Sequence, residues 1–333
     1  MKKVFTICVV FLLSLSLLAQ APGQKRIVDR EAPEYMMTKD GLVVQGELFE
    51  SVEAFHASDK FRFGGHRCGT AMKMAENGRI DGPIKAKSAS DCNNSQTVIQ
   101  SEYNLSGTVT IPVVFHIITR SNGVGDISNA QIANQIDILN DDFSGASGGY
   151  DTGIRFELAG ITRTANNRWY RDRQESRYKD QTGWDRNTYL NIWTNTASGY
   201  LGYAYLPASS AGSTVDGVVL NHEYVGFMPP NAGSYNLGRT ATHEVGHYLG
   251  LFHTFDGGCG NASQPYTTGD LIADTNQEST AHYGCAPRST CGSVDPIDNF
   301  MDYSDDACMD NFTAEQANRM VCSIMNFRPN LPN

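Results

Sequence analysis

Residues 242–255 read THEVGHYLGLFHTF, and they contain the pattern H-E-x-x-H-x-x-G-x-x-H from His243 to His253. His243 and His247 are four residues apart, so on a helix their imidazoles leave the same face, one turn from each other. Two imidazole nitrogens placed in this way can bind one Zn²⁺ at about 2.0–2.1 Å each. The pattern therefore predicts a metal-binding helix over residues 239–251.

Three further positions indicate the kind of zinc site. Glu244 directly follows the first ligand, so its carboxylate can act as a general base toward a water molecule near the metal. Gly250 is predicted to end the helix, because glycine adopts a left-handed backbone at low cost, and the chain then returns His253 as third ligand. Three protein ligands leave a fourth position open, which is typical of catalytic sites. A bare H-E-x-x-H can arise by chance on a surface helix, but the extended pattern fixes five residues in eleven.

The flanking sequence predicts an α+β fold. Ser128 opens a helix with Gln131 in the capping-box position, and Thr313 opens a closing helix to residue 327 with Gln316 in that position. Because strands and helices alternate in the first half, we expect a twisted mixed sheet packed on helices. Five stretches rich in β-branched or alternating residues predict the strands, namely residues 108–119, 154–162, 189–194, 201–206 and 215–221.

The composition limits the classes of partner. The chain of 333 residues carries a formal net charge of −10, which argues against binding nucleic acid or an anionic membrane by bulk attraction. The charge weakly favours cationic ligands or substrates; the alternative is that it only keeps an exported protein soluble. We therefore expect neither a nucleic-acid nor a membrane partner.

The N-terminus predicts export. Lys2 and Lys3 precede an apolar run over residues 4–18, and small residues follow at Ala19 and Ala21, which together form the three parts of a secretory signal. The run is shorter than the ~20 apolar residues that a membrane span needs. Residues 1–19 are therefore predicted to be a signal peptide, and the protein is predicted to be secreted.

The region after the signal differs from the rest of the chain. Residues 20–106 contain scattered Gly, Lys, Ser and Asn with few periodic patterns, although a helix is expected near residues 48–57. Residues 85–95 are small and polar, as in a cleavable linker. We interpret residues 20–106 as a propeptide and residues 107–333 as the main domain; a poorly ordered N-terminal extension is the alternative for the former.

Cysteine usage agrees with export. Cys8 leaves with the signal peptide and seven cysteines remain, an odd number that leaves at least one thiol without an intrachain partner. Two disulfides after the histidine pattern would hold a long irregular loop, and four cysteines allow three pairings. The four in that loop are Cys259, Cys285, Cys291 and Cys308.

The histidine pattern, followed by N-F-M-D-Y at residues 299–303, resembles the metzincin clan of zinc endopeptidases. Residues 269–275 (GDLIADT), the four loop cysteines and residues 312–316 (FTAEQ) resemble the pappalysin family within that clan. The resemblance implies an upper subdomain to about residue 250 and an irregular lower subdomain over residues 251–333. It also implies that Met301 packs beneath the metal and that Tyr303 helps to stabilise the tetrahedral intermediate. Without the histidine pattern, Met301 would be interpreted as an ordinary core methionine.

The same resemblance implies a zinc-dependent endopeptidase that acts on proteins and peptides and cuts before Arg or Lys. An acidic residue near the methionine turn would select the basic side chain, although Ala307 stands where the family has an acid. A solvated acidic loop is the alternative interpretation. The candidates for selection are Asp298, Asp305 and Asp306, and the strand expected to pair with the substrate contains Gly202, Tyr203 and Ala204.

The resemblance further implies crossed disulfides, Cys259–Cys291 and Cys285–Cys308, and a structural Ca²⁺ in the same loop. Oxygen ligands in a flexible loop suit Ca²⁺, whereas a solvated acidic loop is the alternative. Asp270 and Thr275 match ligand positions of the family. Thr267 is a further candidate, but the spacing from Cys259 to Asp270 is longer than in the family, which argues against Thr267 as a ligand. The remaining candidates for oxygen ligands are Ala273 and Asp274.

Residues 67–70, R-C-G-T, resemble the cysteine switch of the family's zymogens. A thiolate is a strong zinc ligand, so Cys68 could bind the metal at the open position and keep the enzyme latent. A disulfide of Cys68 with Cys92 or Cys322 is the alternative. The expected partners are thus substrates and the protein's own propeptide, in a monomer or a dimer. A zinc-stabilised binding protein without activity is the rival function, and the intact Glu244 argues against it.

Overall fold

The computed structural model describes residues 26–27, 35–44, 47–63, 67–70, 90–230 and 232–332. The predicted signal peptide lies outside the described residues, as does the first part of the predicted linker, residues 85–89. Among the helices within those ranges, none combines the length and the apolar character that a membrane crossing requires.

A five-stranded sheet forms the upper half of the molecule. Its strand order is β6-β5-β7-β9-β8, in which the first four strands run parallel and β8 pairs antiparallel with β9 at one edge. The predicted mixed sheet is thus confirmed. The strands are β5 (Val109–Thr119), β6 (Ile154–Ala165), β7 (Leu190–Asn195), β8 (Gly202–Ala204) and β9 (Val218–Asn221).

Two of these strands are shorter than the sequence predicts. The chain before β9 does not extend the strand, because Gly217 has a φ of +123° and turns the backbone away from the ladder. The chain after β8 leaves the edge at Pro207, which begins a short helix. Pro207 has no N–H to donate to a ladder, so the edge strand ends after three residues.

Helices pack on the sheet, and two of them begin at the N-cap residues that the sequence predicts. The Ser128 side chain accepts from the Gln131 amide, whereas the Gln131 side chain donates to the Val225 carbonyl at 2.6 Å rather than completing a capping box. The capping box of Thr313 and Gln316 is complete. The helices are α3 (Asn129–Phe143), α4 (Asn167–Tyr170), α5 (Glu175–Thr182), α6 (Pro207–Ser210), α7 (Arg239–Tyr248) and α8 (Ala314–Phe327).

The N-terminal region forms a second, antiparallel sheet of order β1-β4-β3-β2. The single helix predicted near residues 48–57 is wrong in its first part, because strand β4 occupies that stretch and pairs with β3. Phe55 and Phe61 pack with Tyr224 and Tyr235 of the main domain. The elements are β1 (Arg26–Ile27), β2 (Tyr35–Thr38), β3 (Gly41–Val44), β4 (Glu47–Phe49), α1 (Val52–His56) and α2 (Asp59–Phe63).

The chain between α7 and α8 has little regular structure, and disulfides hold it. The structure joins Cys259 to Cys291 and Cys285 to Cys308, the two pairs that the resemblance implies. A third disulfide joins Cys92 to Cys322 across 230 residues of sequence. Among the described residues, Cys68 is the free cysteine, and it is buried; the alternative pairing of Cys68 with Cys92 or Cys322 is therefore not formed.

Candidate active site

Three imidazoles converge beside helix α7. His247 Nε2 lies 3.2 Å from His243 Nε2 and 3.0 Å from His253 Nε2. These separations are close to the edge of about 3.3–3.4 Å of a tetrahedron whose arms are Zn–N bonds of about 2.0–2.1 Å. The Cys68 sulfur joins the group, and the four ligand atoms all lie within 4.8 Å of one another. This donor set fits a Zn²⁺ ion.

The outer nitrogen of each ring donates to a fixed acceptor. His243 Nδ1 lies 2.7 Å from the Phe300 carbonyl and His247 Nδ1 lies 2.8 Å from the Leu251 carbonyl. His253 Nδ1 lies 3.2 Å from the Asp256 carboxylate. A carbonyl oxygen can only accept, so Nδ1 carries the proton and Nε2 keeps the lone pair that a metal needs.

Burial keeps two of the rings neutral. It lowers the pKa of His247 to about 3, with the neighbouring His253 acting in the same direction. It also lowers the pKa of His243 well below the usual range, assisted by His247. A histidine must be neutral to bind a metal, so these two rings are in the binding form at every pH at which the protein is expected to work.

Glu244 is fully buried beside the histidines. Its Oε2 accepts from the Thr70 hydroxyl at 3.2 Å and from the Cys68 thiol at 3.4 Å, whereas its buried Oε1 has no hydrogen-bond partner among the described residues. Burial raises the pKa of Glu244 to about 7, and the charge of Arg67 opposes that rise. A carboxylate with this pKa suits proton transfer near neutral pH.

The turn that contains Met301 supports the histidine helix from below. A Cβ added at Gly246 would lie 2.4 Å from Met301 Sδ, so α7 rests directly on the methionine. The Tyr303 ring lies 4.9 Å from the His253 ring, and its hydroxyl donates to the Cys68 carbonyl at 3.4 Å. The five predicted side chains, His243, Glu244, His247, His253 and Tyr303, therefore surround one point.

The sequence is similar to that of known metalloproteases. Residues 173–325 match the sequence profile of peptidase family M43, described as pregnancy-associated plasma protein-A. An extracellular metalloprotease of Pyricularia oryzae is 35% identical over 279 residues, which cover 78% of this chain and 93% of that relative. The chain belongs to the pappalysin family of metzincins. It is therefore a metalloendopeptidase with a catalytic zinc.

Solved pappalysin structures have the same fold. Mature mirolysin of Tannerella forsythia, in complex with a cleaved peptide, is 32% identical to this chain and superposes with a TM-score of 0.54. The match covers 69% of this chain and 100% of mirolysin. A promirolysin mutant of the same organism is 30% identical with a TM-score of 0.58, covering 79% of this chain and 96% of that one. A second extracellular metalloprotease, from Colletotrichum graminicola, is 41% identical over 64% of this chain and 75% of its own length.

Residues 67–70 of this pappalysin lie along the edge strand of the sheet. The Gly69 amide donates to the Gly202 carbonyl at 2.9 Å, and the Ala204 amide donates to Thr70 Oγ1 at 3.1 Å. The approach is close, because a Cβ added at Gly69 would lie 2.7 Å from the Tyr200 ring. The segment thus occupies backbone groups of β8 that the sequence assigns to substrate.

Of the three acidic candidates for selectivity, the structure brings one to the site. Asp306 is buried, and its Oδ1 lies 4.0 Å from Arg67 Nη2. The Arg67 guanidinium also lies 4.7 Å from the centre of the Tyr235 ring, and it donates to Thr240 Oγ1 at 3.3 Å. By contrast, Asp298 is exposed and Asp305 is half-buried.

The predicted calcium loop contains one buried acid. Asp270 accepts from the Thr275 hydroxyl at 2.7 Å, and both line a cavity of about 240 Å³. Burial raises the pKa of Asp270 to about 7. The side chains of Thr267 and Asp274 do not reach this cavity: Thr267 is exposed, and Asp274 accepts from the Glu315 amide at the start of α8. The resemblance implies both as oxygen ligands of the loop.

Sequence reasoning missed three contributors to the site. Asp256 accepts a hydrogen bond from His253 Nδ1. A carboxylate three residues after a metal-binding histidine is a sequence signal that could have indicated this contact. In the sequence, Arg67 and Thr70 stand out only as neighbours of Cys68. Their roles depend on which side chains of the folded main domain they meet, so the local sequence carries no sign of them.

Proposed function

We propose that this protein is secreted as a latent zymogen and, once mature, hydrolyses peptide bonds before Arg or Lys. The observation that supports this preference most strongly is the buried Arg67 side chain, which occupies an acidic pocket one residue from Cys68. The curated relatives in Pyricularia oryzae and Colletotrichum graminicola are named extracellular, which supports export through the predicted signal peptide.

The metal site of the proposal consists of His243, His247 and His253. When bound there, zinc would supply a Lewis acid that polarises the scissile carbonyl and activates water. The chain's own contribution is to fix the orientation of the three rings through Phe300, Leu251 and Asp256. The fourth donor, the Cys68 sulfur, would act as ligand in the zymogen only.

Glu244 is the proposed general base. Its carboxylate takes the proton of the attacking water and later gives it to the leaving amine, as general bases beside metal ions do. Tyr303 is proposed to donate its hydroxyl hydrogen to the developing oxyanion once the Cys68 carbonyl has left. Met301 holds α7 from below and contributes no proton.

The pocket around Arg67 supports selection of a cationic side chain. It offers the Asp306 carboxylate, the face of Tyr235 and the Thr240 hydroxyl. A carboxylate and an aromatic face both stabilise a cation that has left water. When the propeptide leaves, the Arg or Lys side chain of a substrate can bind the groups that Arg67 has released.

Main-chain pairing supports the binding of extended peptides. The Gly202 carbonyl and the Ala204 amide form hydrogen bonds with residues 69 and 70 in the zymogen. An extended substrate can form the same bonds and so add a strand to the sheet. The complex of mirolysin with a cleaved peptide supports peptides as the substrate class here.

A structural Ca²⁺ at Asp270 and Thr275 completes the proposal. The buried carboxylate and hydroxyl that line the cavity of about 240 Å³ are oxygen ligands of the type that Ca²⁺ prefers.

A peptide library derived from a digested proteome tests the function. The mature protein should cut this library mainly before Arg and Lys, and a zinc chelator should stop cleavage. Glu244→Ala should retain zinc and lose at least about 10²–10⁴-fold in rate, the usual contribution of a general base. Cleavage without preference for basic residues would reject the specificity, and an active Glu244→Ala protein would reject the mechanism.

A further inference from the structure

Residues 90–104, here called the strap, lie against the C-terminal helix α8. The Cys92–Cys322 disulfide joins the two covalently. The Asn318 side chain donates to the Gln100 carbonyl at 2.8 Å and to Asn104 Oδ1 at 2.7 Å. The strap is also braced internally, because Tyr103 donates to the Asp91 carboxylate at 2.7 Å. It therefore packs as an ordered part of the main domain, although the sequence assigns it to the propeptide.

Arg319 connects the strap to the opposite side of α8. Its side chain is 1% exposed. On the strap side, Nη2 donates to the Asn93 carbonyl at 2.7 Å, and Nη1 donates to the Gln96 carbonyl at 3.0 Å and to Thr97 Oγ1. On the other side, Nε donates to the Gly250 carbonyl at 2.7 Å. One guanidinium thus joins the strap to Gly250.

Gly250 begins the turn that leads to the third histidine. Its φ is +101°, and a Cβ there would lie 2.3 Å from Ser323 Oγ of α8, so the turn is pressed against that helix. The Arg319 guanidinium also lies 5.2 Å from the centre of the Phe252 ring, next to His253. The backbone on both sides of the turn is therefore fixed relative to α8 through one cation.

We propose that Arg319 is a positioning residue for His253 and that the strap stays with the mature enzyme to hold Arg319 in place. Removing the acceptors of a buried guanidinium is costly, because an unpaired buried cation is strongly destabilising. Without the strap, Nη1 and Nη2 would lose the acceptors described above, and the bond to Gly250 would lose its fixed direction. The inference rests on the proposed zinc site, since His253 matters here as a ligand.

The first test concerns the mature protein itself. N-terminal sequencing and intact mass, each with and without reductant, identify which residues remain after maturation. We expect residues 92–104 to be present, either in the main chain or as a peptide released only by reduction. Mature, active protein that lacks these residues under non-reducing conditions would overturn the proposal.

The second test measures zinc release into a chromogenic chelator. Arg319→Lys keeps a cation but cannot form the forked contacts, so zinc should leave about 10- to 100-fold faster, as when other outer partners of metal ligands are lost. The double variant Cys92→Ser/Cys322→Ser should show the same direction. In cobalt-substituted protein, Arg319→Lys should also change the visible spectrum of the metal.

Arg328→Lys is the matched control. Arg328 is a buried arginine just past the end of α8 that pairs with Asp216 and stacks on Tyr248, whereas the Gly250 and Phe252 contacts belong to Arg319. It should lower thermal stability without changing the cobalt spectrum. If Arg319→Lys releases zinc no faster than Arg328→Lys, the positioning role is wrong. A wild-type protein that binds no zinc would instead reject the proposed metal site.

Discussion

The Thr70 hydroxyl donates to Glu244 Oε2 at 3.2 Å and accepts from the Ala204 amide at 3.1 Å. One side chain of the predicted propeptide therefore engages both the proposed general base and the edge strand. Cys68 lies beside it, with its sulfur among the histidine nitrogens. The proposed latency would thus rest on a contact at the carboxylate as well as on a donor at the metal.

Latency should respond to both residues. Cys68→Ala removes the metal donor and should release activity from the zymogen. Thr70→Ala should speed maturation by up to about tenfold, because a hydrogen bond contributes about 0.5–1.5 kcal/mol. The appearance of mature protein over time measures both. Thr70→Ser keeps the hydroxyl and should mature at the wild-type rate; a Thr70→Ala zymogen that matures no faster than wild type would show that this contact is irrelevant to latency.

Selectivity for basic residues should depend on Asp306. Asp306→Asn removes the charge but keeps an oxygen that can accept the hydrogen bonds from the Leu237 and Arg239 amides. A hydrogen bond to a charged group contributes about 1.5–3 kcal/mol. We therefore expect the kcat/KM for cleavage before Arg to fall about 10- to 100-fold in this variant. Asp298→Asn, at an exposed position, should leave it unchanged. Equal values for the Asp306 variant and wild type would exclude the pocket.

Stability should depend on calcium and pH through Asp270. Burial raises its pKa from 3.8 to about 7, so ionising it in the folded protein costs up to about 4 kcal/mol. This cost is absent below the unfolded pKa near 4 and fully present above pH about 7. Calcium binds the ionised form and offsets the cost, so it should raise Tm more at pH 8 than at pH 5. Asp270→Asn should abolish the effect; a calcium response that persists in this variant would locate the ion elsewhere.

The contact between α7 and the methionine turn should be sensitive to one methyl group. Gly246→Ala places a Cβ 2.4 Å from Met301 Sδ, and overpacking of this kind costs about 1–3 kcal/mol. Chemical denaturation of the purified protein gives the free energy of unfolding. Met301→Ala makes room, so the double variant should lose less stability than the sum of the two single variants. Strict additivity would mean that the two residues do not press on each other.

The part of the site that was predictable is local in the sequence. His243 and His247 lie on one helical face because of their spacing alone, and Gly250 adopts the positive φ that its position after the helix predicts. The complete capping box at Thr313 is likewise decided within four residues. These features need only the geometry of one helix and its ends.

The remainder depends on where distant segments meet. Cys92 and Cys322 pair across 230 residues, and no local pattern distinguishes that pairing from one with Cys68. Asp305 and Asp306 are neighbours, yet the short 3₁₀ turn at Asp306–Cys308 buries one and leaves the other half-buried. The tertiary fold determines which cysteines pair and which carboxylate is buried, so local sequence patterns do not predict either.

Phe55 and Phe61 share an apolar cluster with Tyr224 and Tyr235, and Tyr235 also forms one wall of the pocket that contains Arg67. Departure of the N-terminal region would therefore expose the rings of Tyr224 and Tyr235 next to that pocket. Activation would therefore remove apolar contacts from the protein and expose an apolar surface beside the pocket. A peptide with a bulky apolar residue near its Arg or Lys could bury that surface again.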